Sequence, residues 1–357
     1  MVLDKQNNFD YIIVGAGLAG IAFAETCLKN NKTVFVFDNN SQSSSKVAAG
    51  IYNPVVLKRF SGLEHSEIQL EKAATFYNNL ESKLNATLDH KIEVLRKFFS
   101  IEEQNNWFLA ADRPNVSAFL SLEIQQKKIK GIDAQFGYGK VYHTGFVDTA
   151  LLVKEYHLYL SQKKCFASSV FDYSQIQFQN NKISYKNISA KQIVFAEGFG
   201  LRDNPFFNYL PLDGTKGELL IIRAPDLELD SILNSSLYIV PLGNNLFKVG
   251  ATYEWTDKTE TTTTAGKNEI LDKLKFIINC EFEVVEHLAG IRPTVKDRKL
   301  LLGTHRFYQN LHIMNGMGTR GVMQAPWAAE ILFDAIEQQT DIEKSINSDR
   351  FNKLLFL

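Results

Sequence analysis

The chain has 357 residues, a formal net charge of −1, 22% charged and 12% aromatic residues. That length and composition allow one large unit or two closely joined ones with a sizeable core, and exclude disorder and a strongly basic nucleic-acid binder. Cys27, Cys165 and Cys280 are too scattered for a disulfide framework, and the seven histidines show no metal-ligand spacing, so no metal is expected.

In chain order, Tyr11–Val14 reads as a strand that enters Gly15, Gly17 and Gly20 and then a helix from Gly17 to Asn30, with Ala19, Ala22, Phe23 and Thr26 facing inward. Glycines at these spacings let the chain reverse, let N–H groups approach a pyrophosphate, and let helix and strand pack closely. A second strand, Thr33–Phe37, ends in Asp38, the acid expected to accept from an adenosine ribose. Together these predict a bound dinucleotide. A small-residue stretch, AAGIYNP, then leads to a helix from His65 to Leu84 with Leu70, Ala73, Ala74, Tyr77, Leu80 and Leu84 on one face.

The pattern changes between about Ile92 and Val141, where Asn115–Gln126 reads as helix-like. A helix headed by GFVD runs from Val147 to Leu160, and Ile193–Gly198 is a strand ending in small residues. The runs ELLIIR, SLYIV and LFKVGATY predict an antiparallel sheet. The threonine-rich loop TETTTTAG reads as an exposed spacer before a helix carrying Ile270, Leu271, Leu274, Ile277 and Ile278. Finally Leu311–Met314, NGMGTRG and a helix with Pro326 near its start form a second strand, glycine turn and helix. The first ten residues are polar and no run reaches the ~18 apolar residues of a membrane span, so a cytoplasmic, soluble protein is expected.

VGAGLAG, AAGIYNP, GFVDTALLV, VFAEG, PLDGTKGEL, VGATYE, GIRPTVKDRKLLLG and NGMGTRGVMQAPWAAEIL, in this order, resemble the D-amino-acid oxidase superfamily of FAD enzymes, which includes glycine oxidase and sarcosine oxidase. The last two motifs are most similar to the oxidase domain of the bifunctional tRNA wobble-uridine modification enzyme. The resemblance implies an α/β fold with a Rossmann-like FAD-binding domain (1–85, 140–212 and 288–357) and an antiparallel-sheet substrate domain (86–139 and 213–287).

By the same resemblance FAD contacts Gly15, Ala16, Gly17, Leu18, Ala19, Gly20 and Asp38 near the start, and Ala48, Ala49 and Gly50 after the second strand. Val170, Ala196, Glu197, Gly198 and Gly290 follow, and Gly318, Thr319, Arg320, Gly321 and Val322 complete the set. The amides of Thr319–Val322 would face the N1 and C2 oxygen of the flavin, where reduction places negative charge. Glu197 departs from the small residue usual there.

Arg292 matches an arginine that grips a substrate carboxylate in several members, against the plainer reading of a domain-joining ion pair. Arg320 sits one position later than its glycine-oxidase counterpart, which leaves its direction open. Tyr253 lines the substrate face or simply fills the sheet. Lys58 and Arg59 lie beside the pocket or in solvent, and the clusters Lys127, Lys128, Lys130 and Lys163, Lys164 read as solvated.

The implied chemistry is oxidation of an amine or amino-acid C–N bond by hydride transfer to flavin N5, with the imine hydrolysed and oxygen or another acceptor taking the electrons. The alternatives are an FAD oxidase acting on a carboxymethylaminomethyl uridine of tRNA, which the neutral total charge disfavours, and a flavin-binding protein without turnover.

Overall fold

The computed structural model describes residues 7–179 and 182–356; residues 1–6 and 357, at the ends of the expected FAD-binding unit, lie outside it. Two sheets organise the chain. In the first, Phe166–Ser168, Val34–Asp38, Asn7–Val14, Ile188–Phe195 and Leu311–Asn315 run parallel in that spatial order. Ile188–Phe195 pairs antiparallel with Lys182–Tyr185 through its first half and parallel with Leu311–Asn315 through its last three residues. Its central strands, Asn7–Val14 from Tyr11 on, Ile188–Phe195 over its last three residues and Leu311–Asn315, are buried on both faces, as a parallel sheet covered by helices requires.

The second sheet takes strands from 94–141 and 215–292, in the order Glu283–Arg292, Thr215–Arg223, Leu246–Gly250, Tyr238–Gly243, Ile232–Asn234, Val94–Lys97, Tyr138–Val141, Leu120–Gln125. It is antiparallel except between Ile232–Asn234 and Val94–Lys97. The segment 43–48 joins the sheets: Ser43 Oγ donates to the Ala289 carbonyl at 3.0 Å, Ser43 N–H to Glu260 Oε1 at 2.8 Å, and Lys248 Nζ to the Ala48 carbonyl at 3.0 Å.

The predicted first helix is Leu18–Lys29, flanked by Gly17 and Asn30, and the GFVD helix is Thr149–Gln162, capped by Asp148 accepting from Leu151 N–H at 3.0 Å. Three expectations change. Asn115–Gln126 is not helical; a turn passes into the strand Leu120–Gln125, because its edge is hydrogen-bonded by Tyr138–Val141. In the helix Ser66–Leu84 the buried stripe is Ser66, Gln69, Ala73, Tyr77 and Leu80, while Ala74 points to solvent. Ile277 and Ile278 are buried beyond the end of Thr264–Leu274 rather than on it.

The last helix, Gly321–Gln338, carries Pro326 in its interior. Proline has no N–H, so the carbonyl four residues earlier, on Val322, loses its helical donor. The Tyr77 hydroxyl donates to that carbonyl instead, at 2.8 Å, in a buried contact that ties Ser66–Leu84 to the second glycine turn. Tyr77→Phe leaves the carbonyl buried and unpaired, and is expected to lower stability by about 1–3 kcal/mol. The guanidinium unfolding midpoint checks this; an unchanged midpoint refutes it.

Candidate functional site

A cavity of about 1360 Å³ runs from the first glycine turn to the second sheet. At its first end the chain reverses at Gly15, whose φ of +98° suits glycine and whose missing side chain leaves room for the Ala196 carbonyl. The turns are locked by backbone: Gly15 N–H donates to the Phe37 carbonyl and Ala196 N–H to the Val14 carbonyl, each at 2.7 Å. A side chain on Gly20 would strike the Gly15 carbonyl, and one on Gly17 would meet Ser45 Oγ at 2.8 Å.

The N–H groups of Gly17, Ala19 and Gly20 have no acceptor among the described residues, while Leu18 N–H donates to Ser45 Oγ at 3.2 Å. This is the anion-ready end of a helix. Asp38 accepts at 2.6 Å from Ala16 N–H on one oxygen and from Asn40 N–H on the other, keeping spare lone pairs along the cavity wall. Ala16 is buried with its N–H held by Asp38, and Gly20 is packed on Gly15. Val170 is exposed at this rim, and Gly290 and Ala48 to Gly50 line the cavity.

Glu197 follows the strand Ile188–Phe195, and its Cα lies against Gly15. Burial pushes its carboxyl up to about 7, although Tyr173 Oη and Asn204 Nδ2, the latter at 2.7 Å, both donate to it. Nearby, Gln42 Oε1 is buried without a partner among the described residues, an acceptor facing this same end.

At the other turn Asn315 Nδ2 donates to the Gly198 carbonyl at 2.9 Å and Gly318 N–H to the Pro293 carbonyl at 3.1 Å, so the last turn is tied both to the first sheet and to GIRP. Thr319, Gly321 and Val322 N–H have no acceptor among the described residues, and all three residues line the cavity. The open amides at both ends, the glycine clearances and the unpaired Gln42 oxygen fit an extended FAD.

Beyond this turn the walls change sign. The acids of the cavity, Asp38, Glu197 and Asp203, belong to the first end. Arg96, Lys248, Arg292 and Arg320 line the other, with Lys58, Arg59 and Arg298 exposed at its rim. Arg292 lies where a Gly217 side chain would stand. Its guanidinium sits 4.5 Å from the Tyr253 ring centre and donates only to carbonyls, those of Thr252 at 3.3 Å and Lys216 at 3.4 Å. No carboxylate pairs with it among the described residues, which removes the ion-pair reading. Tyr253 is 61% exposed, so it does not fill the sheet. Arg320 lines the same cavity as Tyr253, Arg298 and Arg59; burial lowers its pKa, Tyr253 opposes this, and the charges of Arg298 and Arg59 add to it.

The threonine-rich loop is no free spacer. Glu218, buried, accepts from Thr263 N–H and Oγ1 at 2.8 Å each, and the fully buried Lys216 donates to Asp257 and the Thr261 carbonyl. Sequence reading missed Gln42, Ser45, Arg96, Lys248 and Arg298. For Arg298 the motif VKDRK gave a hint; for the others nothing local did. Burial lowers the Lys248 ammonium's pKa. Among the described residues no cluster of His, Cys, Asp or Glu could hold a metal, and no helix is long and apolar enough to cross a membrane.

The family model described as FAD dependent oxidoreductase (DAO) matches residues 10–335. Glycine oxidase of Bacillus subtilis is 23% identical over 377 residues, covering 96% of this chain and 96% of that protein. The tRNA 5-methylaminomethyl-2-thiouridine biosynthesis bifunctional protein MnmC of Marinobacter nauticus is 23% identical over 361 residues, covering 92% of this chain; the chain spans 55% of that relative. The crystal structure of glycine oxidase from Geobacillus kaustophilus superposes with a TM-score of 0.75 at 18% identity, over 97% of this chain and 98% of that one. Its fold is therefore that of the glycine oxidases, and by the match across nearly its whole length the chain belongs to the DAO family of FAD-dependent oxidoreductases.

Proposed function

We propose that this enzyme oxidises the C–N bond of a carboxylate-bearing amine, an amino acid or a secondary amine. The observation that carries the reading is Arg292: a guanidinium sunk between the second sheet and the last glycine turn, held by carbonyls, with no carboxylate of its own. Its two-pronged N–H edge suits a carboxylate, and fixing that group orients the adjacent carbon. Tyr253, over the guanidinium, limits where it can swing. FAD, when bound, would supply the redox chemistry as acceptor of a hydride from that carbon. The amine loses a proton, the imine that results is hydrolysed to carbonyl compound and amine, and oxygen or another acceptor takes the electrons. Thr319, Gly321 and Val322 present the open amides where charge would develop. The B. subtilis relative, a glycine oxidase, supports the reading.

A second reading, an oxidase acting on a carboxymethylaminomethyl uridine of tRNA, draws support from the MnmC relative and from the cationic rim. Salt-dependent retention of bulk tRNA at low ionic strength is its test; no retention removes it.

Arg292→Met is expected to keep FAD bound while lowering kcat/KM for an amino acid substrate about a hundredfold or more, with Arg292→Lys between it and the parent. Anaerobic mixing, followed by loss of flavin absorbance with glycine, sarcosine and D-amino acids, measures this; full activity in Arg292→Met refutes the assignment.

Glu197 generates a pH prediction. Its carboxyl is neutral below about 7 and becomes an anion above it, on a residue that lines the cavity and whose Cα lies against Gly15. Asp203 adds to that negative charge, while Tyr173 and Asn204 are neutral donors. FAD affinity is therefore expected to fall as pH rises through about 7 and to be flatter in Glu197→Gln, read by the fluorescence of released FAD. Equal slopes in both proteins contradict it.

A further inference from the structure

The rim of the substrate end holds more positive charge than one carboxylate needs. Arg59, Arg298 and Arg320 open onto the same cavity as Arg292, and among the described residues none of the three pairs with an acid. The acids beside them are already taken: Glu64 by Lys299, Asp297 by Arg350, and Glu103 by Arg96. Burial first, and then the charges of Arg298 and Arg59, hold the Arg320 guanidinium below its ordinary pKa, with Tyr253 opposing. Mutual repulsion of this kind weakens the fold and is relieved by an anion from outside. Arg298 is fixed in place by a turn: its φ is +58° and its N–H donates to the Val295 carbonyl at 2.8 Å.

We propose that Arg59, Arg298 and Arg320 form a second anion site, and that the substrate carries a second acidic group, a carboxylate or a phosphate, beyond the carboxylate at Arg292. This rests on the reading of Arg292 given above. The two anions are divided by chemistry. Arg292, deep and boxed in by carbonyls, positions the reacting carbon, whereas the exposed rim selects the remote end and draws the dianion in through its field. Specificity then lies with residues from three separate stretches, the loop after AAGIYNP, the VKDRK turn and the last glycine turn.

The test uses the holoprotein in two arms. In the binding arm, perturbation of the flavin spectrum follows titration with thiodiacetate and with (methylthio)acetate, matched ligands that lack the oxidisable amine and differ by one carboxylate. In the turnover arm, iminodiacetate and N-(phosphonomethyl)glycine are compared with sarcosine. Thiodiacetate is expected to bind about tenfold or more tightly than (methylthio)acetate at low ionic strength, and iminodiacetate or the phosphonate to exceed sarcosine in kcat/KM by a similar factor; which of the two leads identifies the acidic group. Both preferences should shrink at high salt and collapse in the Arg59→Ala/Arg298→Ala double variant, while Arg59→Lys/Arg298→Lys retains most of them.

Equal affinity for the two thioethers, or a preference unaltered in the alanine variant, overturns the proposal. So does retention of bulk tRNA that is lost in that variant without any preference for dianions, which would hand the rim to nucleic acid. If no amine reduces the flavin, the oxidation reading fails by itself, and the thioether titration still decides the second anion site.

Discussion

Two helices begin in this protein with open backbone N–H groups aimed into one cavity, and the rest of the structure is arranged to keep them open. Leu18–Lys29 and Gly321–Gln338 each follow a parallel strand and a glycine turn. An anion can reach such amides only where no side chain intervenes. That is why Gly15 and Gly20 pack on each other with no room for a methyl group, and why Asn315 uses its amide to hold the last turn against Gly198 instead of leaving it to swing. The parallel sheet brings the two turns to the same edge because Ile188–Phe195 lies between Asn7–Val14 and Leu311–Asn315.

The second sheet supplies what the helix ends lack, fixed positive charge and a floor for an organic molecule. Its strand Thr215–Arg223 divides the labour by alternation. Gly217 leaves space on the cavity side for Arg292, while Lys216 and Glu218 point to the opposite face and tie down the threonine-rich loop. Alternate residues of one strand thus shape the pocket and anchor the loop that carries Tyr253. The Lys216–Glu254 backbone bridge puts that tyrosine over Arg292.

The resulting cavity is electrically polarised along its length. The acids occupy the first end, open amides both, and cations the other, most of them without an acidic partner among the described residues. Open amides suit a phosphate-rich cofactor, and the carboxyl of Glu197 is tolerated among them because burial raises its pKa to about 7. Low dielectric at the walls lets each uncompensated charge act strongly on what enters. One molecule with anions at its far end and another with anions at its near end can therefore lie in the same channel without competing for the same groups.

Sequence alone determined the local devices. The glycine spacing, the Asp38 that ends the second strand, the helix headed by GFVD and the second strand, turn and helix were each legible as a pattern of neighbouring residues. The glycine-rich motifs in order also placed the chain in its family. Asn115–Gln126 misled because helix and strand share short apolar spacing, and only pairing with Tyr138–Val141 decides between them. Lys248 and Gln42 were invisible as site residues, since their neighbours in space are far away in the chain. The tertiary structure decided two further things: that Arg292 meets carbonyls and, among the described residues, no acid, and that Arg320 lines the same cavity as Arg59 and Arg298. A residue's charge is written in its sequence, but whether that charge is neutralised depends on which distant side chains the fold brings beside it.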